Sequence, residues 1–404
     1  MNMRRLFRIT FRTLLFILLI TTIAGIWNRD KIRRLVRVNS LFSEELIVSN
    51  FSNMESMFFH EELSAAGDTV APLPSAPQPL PEYFTFEGAK ISIADWRVER
   101  QHTAMVVLKD GQVAFEGYFL GTKDTDRRIS WSMAKSVLSV AFGVAVEERL
   151  IPDLDAPVIR YVPSLAGSAY EDATIRHVLN MASGIEFDED YLDFNSDINR
   201  MGRVLALGRS MDGFAENLTK SARPPGSEWQ YTSIDTHVLG MVLRSATGMS
   251  AKEYVSAKIL RPMGLEANPT YLTDGYGVAF VLGGLNMRTR DYARFGLMMA
   301  QDGNLNGNQI VPREWVRAST KQSAPAPAPD HDTNLGYGYQ WWLPPDAQEG
   351  EFFASGIYGQ YIYVNRPKGA VIALNSADRV WSGTDRDITH MNLTMFRAIA
   401  DGLR

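Results

Sequence analysis

The chain begins with a basic segment and a long apolar run. Four arginines lie within the first twelve residues, and residues 14–27 read LLFILLITTIAGIW without a charge. This order is typical of a signal peptide or a signal anchor. Fourteen helical residues span about 21 Å, less than the roughly 30 Å of a bilayer's hydrocarbon core. The poor cleavage signal at residues 22–24 favours an uncleaved anchor, and arginines on both flanks leave its orientation undecided.

Beyond residue 100 the apolar positions follow two periods. The pattern of residues 103–119 predicts two strands joined by a tight turn at Asp110 and Gly111. Residues 359–376 show the pattern of a second strand pair. Between them, residues 132–150 and several stretches from 150 to 330 carry apolar residues at helical spacing. We therefore predict an α+β fold. One antiparallel sheet is completed by the two ends of the domain and flanked by helices, with an inserted, mainly helical subdomain.

Composition along the chain suggests three parts. Residues 1–30 form the signal anchor or signal peptide, residues 31–81 a juxtamembrane segment and proline-rich linker, and residues 82–404 the main domain. Residues 71–81 contain five prolines, which predicts a stiff, extended spacer. A second proline tract, residues 323–330, is interpreted as a surface loop.

Charge and cysteine content exclude several classes of protein. The 404 residues include 41 Lys and Arg against 46 Asp and Glu. The resulting net charge of −5 does not indicate the basic surface that binds nucleic acid. No cysteine is present, which excludes disulfides, a thiol nucleophile and thiolate metal sites. The six histidines form no metal-like pair on one helical face. We expect chemistry without a metal or cofactor.

One candidate nucleophile opens the apolar helix that starts near residue 132. The chain contains no G-x-S-x-G and no H-E-x-x-H motif, but Ser132 and Lys135 form an S-x-x-K. Residues at i and i+3 share a helix face, and apolar neighbours lower the pKa of a lysine so that it can act as a base. Backbone N–H groups at the helix N-terminus can stabilise an oxyanion. The alternative is an N-capping serine beside a solvated lysine.

Two later segments carry further candidates. Tyr231 follows a Pro-Gly turn and precedes a helix, where a tyrosine can act as a base or proton relay or can simply pack. Ser355 and Gly356 are small residues at the entry to the last strand pair, where a substrate could approach the backbone closely. The alternative there is an ordinary glycine-rich strand entry.

In order and spacing, the three motifs resemble those of the serine β-lactamase and penicillin-binding superfamily. Ser132-x-x-Lys135 resembles its first motif, and Tyr231-x-Ser233 resembles the Tyr-x-Asn of class C β-lactamases and related esterases. Residues 354–356 stand where that group has Lys-Thr-Gly. Flanking stretches, among them ISWSMAKS at 129–136 and GGLNMRTRDYARFG at 283–296, are similar to the 6-aminohexanoate-dimer hydrolase branch. The resemblance covers roughly residues 82–400.

The resemblance implies a β-lactamase-like fold and assigns roles to particular residues. Ser132 would form the acyl-enzyme, and Lys135 would share a proton network with Tyr231, the general base and then acid. Backbone N–H groups of Ser132 and Ile357 would form the oxyanion hole. The substrate-binding residues would be Tyr191, which would cover the substrate amide, Ser233, Ser355 and Gly356. Asp190, Asp193 and Asp197 are candidates to attract a free amino group.

Two departures from the pattern bear on the substrate. Ala354 replaces the lysine of Lys-Thr-Gly and so removes a cation suited to a β-lactam or peptide carboxylate. Ser233 replaces the usual Asn, and its shorter side chain has no amide to contact a substrate carbonyl.

The sequence therefore predicts a serine hydrolase that cleaves a short amide or ester through an acyl-enzyme. The alternatives are a promiscuous carboxylesterase, a weak β-lactamase, and a membrane-tethered, penicillin-binding-like receptor that is acylated without turnover. We expect a small-molecule substrate, no nucleic-acid partner and a membrane contact through the N-terminal segment. The hydrolase domain would be extracytoplasmic (periplasmic), or secreted if the leader is cleaved; the oligomeric state stays open.

Overall fold

Helices and short strands alternate along the chain. The computed structural model describes residues 3–65, 69–329, 333–381 and 387–404. The α-helices of those residues are α1 (Met3–Trp27), α2 (Arg29–Asn39), α3 (Ile47–Asn50), α4 (Ile93–Glu99), α5 (Met133–Glu147), α6 (Ile175–Leu179), α7 (Asp197–Leu207), α8 (Met211–Glu216), α9 (Ser233–Thr247), α10 (Ala251–Val255), α11 (Thr289–Ala300), α12 (Arg313–Ser319) and α13 (Ile388–Gly402). The strands are β1 (Phe59–Glu62), β2 (Tyr83–Phe86), β3 (Ala89–Ser92), β4 (His102–Lys109), β5 (Gln112–Tyr118), β6 (Arg127–Ile129), β7 (Thr270–Thr273), β8 (Leu285–Arg288), β9 (Asn304–Leu305), β10 (Asn308–Gln309), β11 (Gly336–Tyr337), β12 (Trp342–Leu343), β13 (Glu351–Gly356), β14 (Gln360–Asn365) and β15 (Ala370–Ser376).

A seven-stranded antiparallel sheet forms the centre of the fold. Its order is β11-β12-β13-β14-β15-β4-β5, so early strands and late strands meet where β15 pairs with β4. Asp110 and Gly111 both have positive φ in the β4–β5 turn, which matches the right-handed twist of the flanking strands. The predicted sheet, completed by both ends of the domain, is confirmed.

Alternating residues of the sheet face two separate layers of helices. On β4, Val106 and Leu108 belong to the larger core, which includes residues of α5 and α11. Met105 and Val107 point the other way and pack with α4 and α13, where Phe396 contacts the rings of β14. The period of two along each strand thus places α5 against one face of the sheet.

The sequence pattern did not predict a second sheet. Four short strands in the order β1-β7-β8-β6 lie beside the first residues of α5. Phe59 pairs with Thr273, more than 200 residues later in the chain. Strands of three or four residues with such remote partners leave too short an alternation to be read locally.

The N-terminal half of the expected linker is packed into the body. Leu41, Ile47, Phe51, Met54 and Met57 are all buried in the larger core. The Phe51 ring contacts Trp131 just before α5, and Phe51 O accepts a hydrogen bond from the backbone N–H of Ile129. The segment before the proline tract is therefore part of the packed structure, although it precedes the main domain predicted at residues 82–404.

The proline tract also lies on the body. Ala76 and Gln78 donate backbone hydrogen bonds to Val113 O and Ala114 O, and Val113 donates to Pro74 O. Proline favours extended backbone and keeps its carbonyl acceptor, so the tract follows the free edge of β5. The predicted extended conformation is present, but it runs along the sheet and does not hold the domain at a distance.

The second proline tract packs as well. Trp229 donates to Ala326 O and accepts from Ala328 through backbone hydrogen bonds. Ala324 and Ala328 are buried against this tryptophan. The described part of the tract, residues 323–329, therefore supports the segment leading to Tyr231, in contrast to the surface loop expected; residue 330 lies outside the described residues.

The N-terminal helix is longer than the apolar run suggested. Within α1, Thr10–Trp27 forms an 18-residue window that is long and apolar enough to cross a membrane by length and composition, and it is not buried against the body. Arg34 of the following helix α2 stacks on Phe59 and donates to Ala206 O. α2 thus rests on α7 and connects α1 to the body.

Candidate active site

Ser132 and Lys135 meet at the N-terminus of α5. Ser132 is the N-cap residue, and Lys135 follows one turn later on the same face. Lys135 Nζ lies 2.8 Å from Ser132 Oγ and donates to Leu282 O at 3.0 Å. Burial lowers the pKa of Lys135 to about 7, although the charge of Glu189 opposes that shift. A neutral amine is therefore available beside the serine at neutral pH.

Tyr231 approaches the same serine from the loop before α9. Its hydroxyl hydrogen-bonds with the Ser132 side chain, and Lys135 Nζ lies 5.2 Å from the centre of its ring. The ring stacks on Trp342 of β12 with centroids 5.3 Å apart. Burial, and then the charge of Glu189, raise the pKa of Tyr231. Its hydroxyl consequently holds its proton at neutral pH.

Gly356 ends β13 against the backbone of the serine. A Cβ atom at this position would lie 3.0 Å from the amide nitrogen of Ser132 and 2.6 Å from Ser130 O. Glycine is therefore required by the close approach of two backbones. Ile357, the next residue, lines the same cavity as Ser132. The two amide groups expected to form an oxyanion hole belong to segments held in direct contact.

A cavity of about 240 Å³ opens above Ser132. Aromatic and aliphatic side chains dominate its wall. The described lining residues are Ser132, Tyr191, Tyr231, Leu335, Trp342, Phe353, Ser355, Gly356, Ile357, Gly359, Tyr361, Trp381, Ile388 and Thr389. None of these described lining residues carries a formal charge.

Glu189 is a residue of the site that the sequence did not single out. It accepts a hydrogen bond of 2.7 Å from the Tyr191 hydroxyl and one of 2.9 Å from the backbone N–H of Ser233. The Ser233 hydroxyl also donates to it. Burial raises the pKa of Glu189, against the charge of Lys135. In the sequence it is one of four acidic residues at 186–190, so no local signal distinguishes it.

The predicted site residues fall into two groups. Ser132, Tyr191, Tyr231, Ile357 and the pair at 355–356 line one cavity. Ser233 does not: it is buried and its side chain is turned to Glu189.

The acidic residues near Tyr191 serve the local backbone. Asp190 and Asp193 accept hydrogen bonds from amides of their own loop, and Asp197 accepts one from the amide of Asp188. Within the described part of the chain, no three His, Asp or Glu side chains come together as a metal site.

The fold and site together define a β-lactamase-like protein with a Ser-x-x-Lys helix on an antiparallel sheet. The family profile described as Beta-lactamase matches residues 95–394, and the chain belongs to that family. The 6-aminohexanoate-dimer hydrolase of Paenarthrobacter ureafaciens is 30% identical over 300 residues, covering 70% of this chain and 76% of that protein. The family resemblance expected from the motifs is therefore confirmed.

Two further proteins are similar to this chain. The solved structure of a proposed 6-aminohexanoate-dimer hydrolase from Bacillus anthracis has a TM-score of 0.76 at 25% identity, covering 89% of this chain and 95% of the other. Esterase EstB of Burkholderia gladioli is 33% identical over 123 residues, which are 28% of this chain and 30% of that protein. Names of amide and ester hydrolases thus recur among proteins similar to this chain.

Proposed function

We propose that the protein is a serine hydrolase that cleaves a short, uncharged amide or ester through an acyl-enzyme. One observation carries the proposal: a buried lysine with a pKa of about 7 lies 2.8 Å from the hydroxyl of Ser132. This pair supplies a nucleophile and a base at the N-terminus of α5. The names of the related amide and ester hydrolases support the same class of reaction.

In the first step Lys135 acts as the base. Its neutral amine accepts the Ser132 proton while the serine oxygen attacks the substrate carbonyl carbon. The negative charge that develops on the carbonyl oxygen is stabilised by the N–H groups of Ser132 and Ile357. The N-terminal end of the 15-residue helix α5 favours negative charge at the same place.

In the second step Tyr231 is the proton donor. Its raised pKa keeps the hydroxyl protonated, and the hydroxyl lies against Ser132, where the leaving amine or alcohol departs. The proton taken by Lys135 then restores the tyrosine. Water attacks the acyl-enzyme by the same route in reverse and frees the serine. In this mechanism Lys135 is the general base of the first step, whereas the family resemblance suggested Tyr231 for that role.

The cavity wall favours substrates without charge. A 6-aminohexanoate dimer carries an amino group and a carboxylate group. No described lining residue has a charged side chain that could pair with either group. Ala354 likewise removes the lysine that would hold a β-lactam carboxylate. We therefore expect apolar esters and amides to be cleaved faster than the linear 6-aminohexanoate dimer, and a β-lactam slowest.

We further propose that α1 anchors the protein in a membrane with the hydrolase domain outside the cytoplasm. The apolar window Thr10–Trp27 supports this, since 18 helical residues span about 27 Å. If the leader is cleaved, the domain is secreted.

The test of the function is turnover of a short p-nitrophenyl ester by wild type, Ser132→Ala and Tyr231→Phe. Wild type is expected to release many equivalents of nitrophenol. Ser132→Ala is expected to abolish release, and Tyr231→Phe to lower kcat about 100-fold, the effect of losing a general acid.

Three results would contradict the proposal in different ways. Equal rates in wild type and Ser132→Ala would remove Ser132 from the mechanism. Near-wild-type kcat in Tyr231→Phe would remove the tyrosine as acid. Release of one equivalent of nitrophenol without further turnover would favour the receptor that is acylated but does not turn over.

A further inference from the structure

The segment just after the N-terminal helices packs on the two residues that adjoin the expected oxyanion hole. Trp131 precedes Ser132, and Tyr358 follows Ile357. The Phe42 ring stacks on the Tyr358 ring with centroids 4.8 Å apart and contacts Trp131 at 5.9 Å. Phe51 meets both rings edge-on, at 5.4 Å and 5.6 Å. Four rings thus form one cluster behind the oxyanion hole.

Both residues that adjoin the hole have a backbone conformation that side chains rarely adopt. φ is +43° at Trp131 and +61° at Tyr358. The left-handed conformation is unfavourable for a residue with a Cβ atom, and it persists where the surroundings hold it in place. The rings of Phe42 and Phe51 are those surroundings on the side away from the cavity.

Backbone contacts tie the same segment to the strand that leads to the serine. Ile129 at the end of β6 donates to Phe51 O at 3.1 Å. The buried guanidinium of Arg128 donates to Val48 O at 2.7 Å and to Ser52 Oγ at 2.6 Å. Because β6 ends three residues before Ser132, a shift of the segment is transmitted to the serine directly.

We propose that residues 41–58 position the oxyanion hole, with Phe42 and Phe51 fixing the backbone of Trp131 and Tyr358. The proposal rests on the hydrolase function proposed above, and it makes both phenylalanines positioning residues for that reaction. The N–H groups of Ser132 and Ile357 lie one residue away from the strained positions. Removing a ring would let that backbone relax and turn the two N–H groups away from the developing oxyanion.

Phe42 offers the sharper test because its side chain is 40% exposed, so its truncation should leave the core intact. Phe59, the first residue after this segment, is a matched control that is 42% exposed and stacked under Arg34 instead. Phe42→Ala, Phe42→Tyr and Phe59→Ala would be made in the full-length chain, purified in detergent. The measurements are kcat and KM for a p-nitrophenyl ester, the affinity for phenylboronic acid, and the melting temperature.

Phe42→Ala is expected to lower kcat about 10-fold, part of the 100- to 1000-fold loss that follows complete removal of an oxyanion donor. Affinity for phenylboronic acid, which forms a tetrahedral adduct with a serine, should fall by a similar factor while KM stays nearly constant. Phe42→Tyr should restore both values, and Phe59→Ala should leave both unchanged. Wild-type kcat and boronate affinity in Phe42→Ala would overturn the proposal.

A second readout separates this proposal from the hydrolase function. If wild type shows no turnover that depends on Ser132, the function is wrong, and amide hydrogen exchange at residues 130–133 and 356–359 decides the positioning. Faster exchange in Phe42→Ala, but not in Phe59→Ala, would support it. Equal exchange in all three proteins would overturn it.

Discussion

At the scale of single residues, the site balances a buried amine against a nearby carboxylate. Burial pushes the pKa of Lys135 down and the charge of Glu189 pushes it up, with a result near 7. The same charge raises the pKa of Tyr231. The charge of Glu189 therefore adds to the effect of burial on the pKa of the tyrosine, and it limits how far the lysine is deprotonated. One carboxylate adjusts both proton-transfer groups in the same direction.

Glu189→Gln should move the acid limb of the pH–rate profile to lower pH. In the proposed mechanism the neutral amine of Lys135 is the active form, so kcat/KM should fall as pH drops through its pKa of about 7. Without the carboxylate charge the pKa of Lys135 drops further, and the amine stays neutral in more acidic solution. The measurement is kcat/KM for a p-nitrophenyl ester from pH 5 to 9.

Glu186→Gln is the control for that shift. Glu186 lies in the same acidic stretch but is exposed and pairs with Lys220. Its substitution should leave the acid limb in place. An acid limb that stays put in Glu189→Gln, or moves to higher pH, would show that Lys135 is not the base.

At the scale of elements, the sequence predicted what is local and missed what is remote. The helix opened by Ser132 and the hairpin turn at Asp110 follow from period and turn chemistry within twenty residues. The pairing of Phe59 with Thr273 depends on residues far apart in the chain, which no local pattern encodes. The role of Glu189 depends on the loop folding back onto α9, where it meets the Ser233 amide.

The Asn199 side chain of α7 contacts three carbonyl groups of the loop that carries Tyr191. The Asn199 amide donates to Asp190 O at 3.3 Å, Tyr191 O at 3.0 Å and Asp193 O at 2.7 Å. Asn199→Ala should loosen the loop, so that substrate binding must order it. We expect KM to rise about 5- to 10-fold, corresponding to about one hydrogen bond's net contribution, with kcat within about 2-fold.

The comparison for that variant is Arg200→Ala, the next residue on the same helix, which is exposed and pairs with Asp197. It should leave both kinetic constants unchanged. If Asn199→Ala lowers kcat and spares KM, the loop acts on the chemical step and not on substrate binding.

At the scale of the whole molecule, the functional body starts earlier than the composition suggests. α1 is not buried against the body, whereas residues 41–58 supply side chains to the core and rings to the back of the site. The family profile begins at residue 95, after this covering segment. The proposed anchor α1 is thus joined through α2 to the segment that we propose positions the oxyanion hole.

Two truncations should separate the anchor from the body. A chain that starts at Arg29 lacks α1 and should be soluble, with the kcat of the full-length protein.

A chain that starts at Glu82 lacks Leu41, Ile47, Phe51 and their buried neighbours. Five such side chains contribute roughly 10 kcal/mol by burial, comparable with the 5–15 kcal/mol stability of a typical domain. We expect this chain to aggregate or to unfold without cooperativity, as thermal unfolding and ester turnover would reveal. Cooperative unfolding and wild-type kcat in the shorter chain would mean that residues 41–58 are dispensable for both folding and the site.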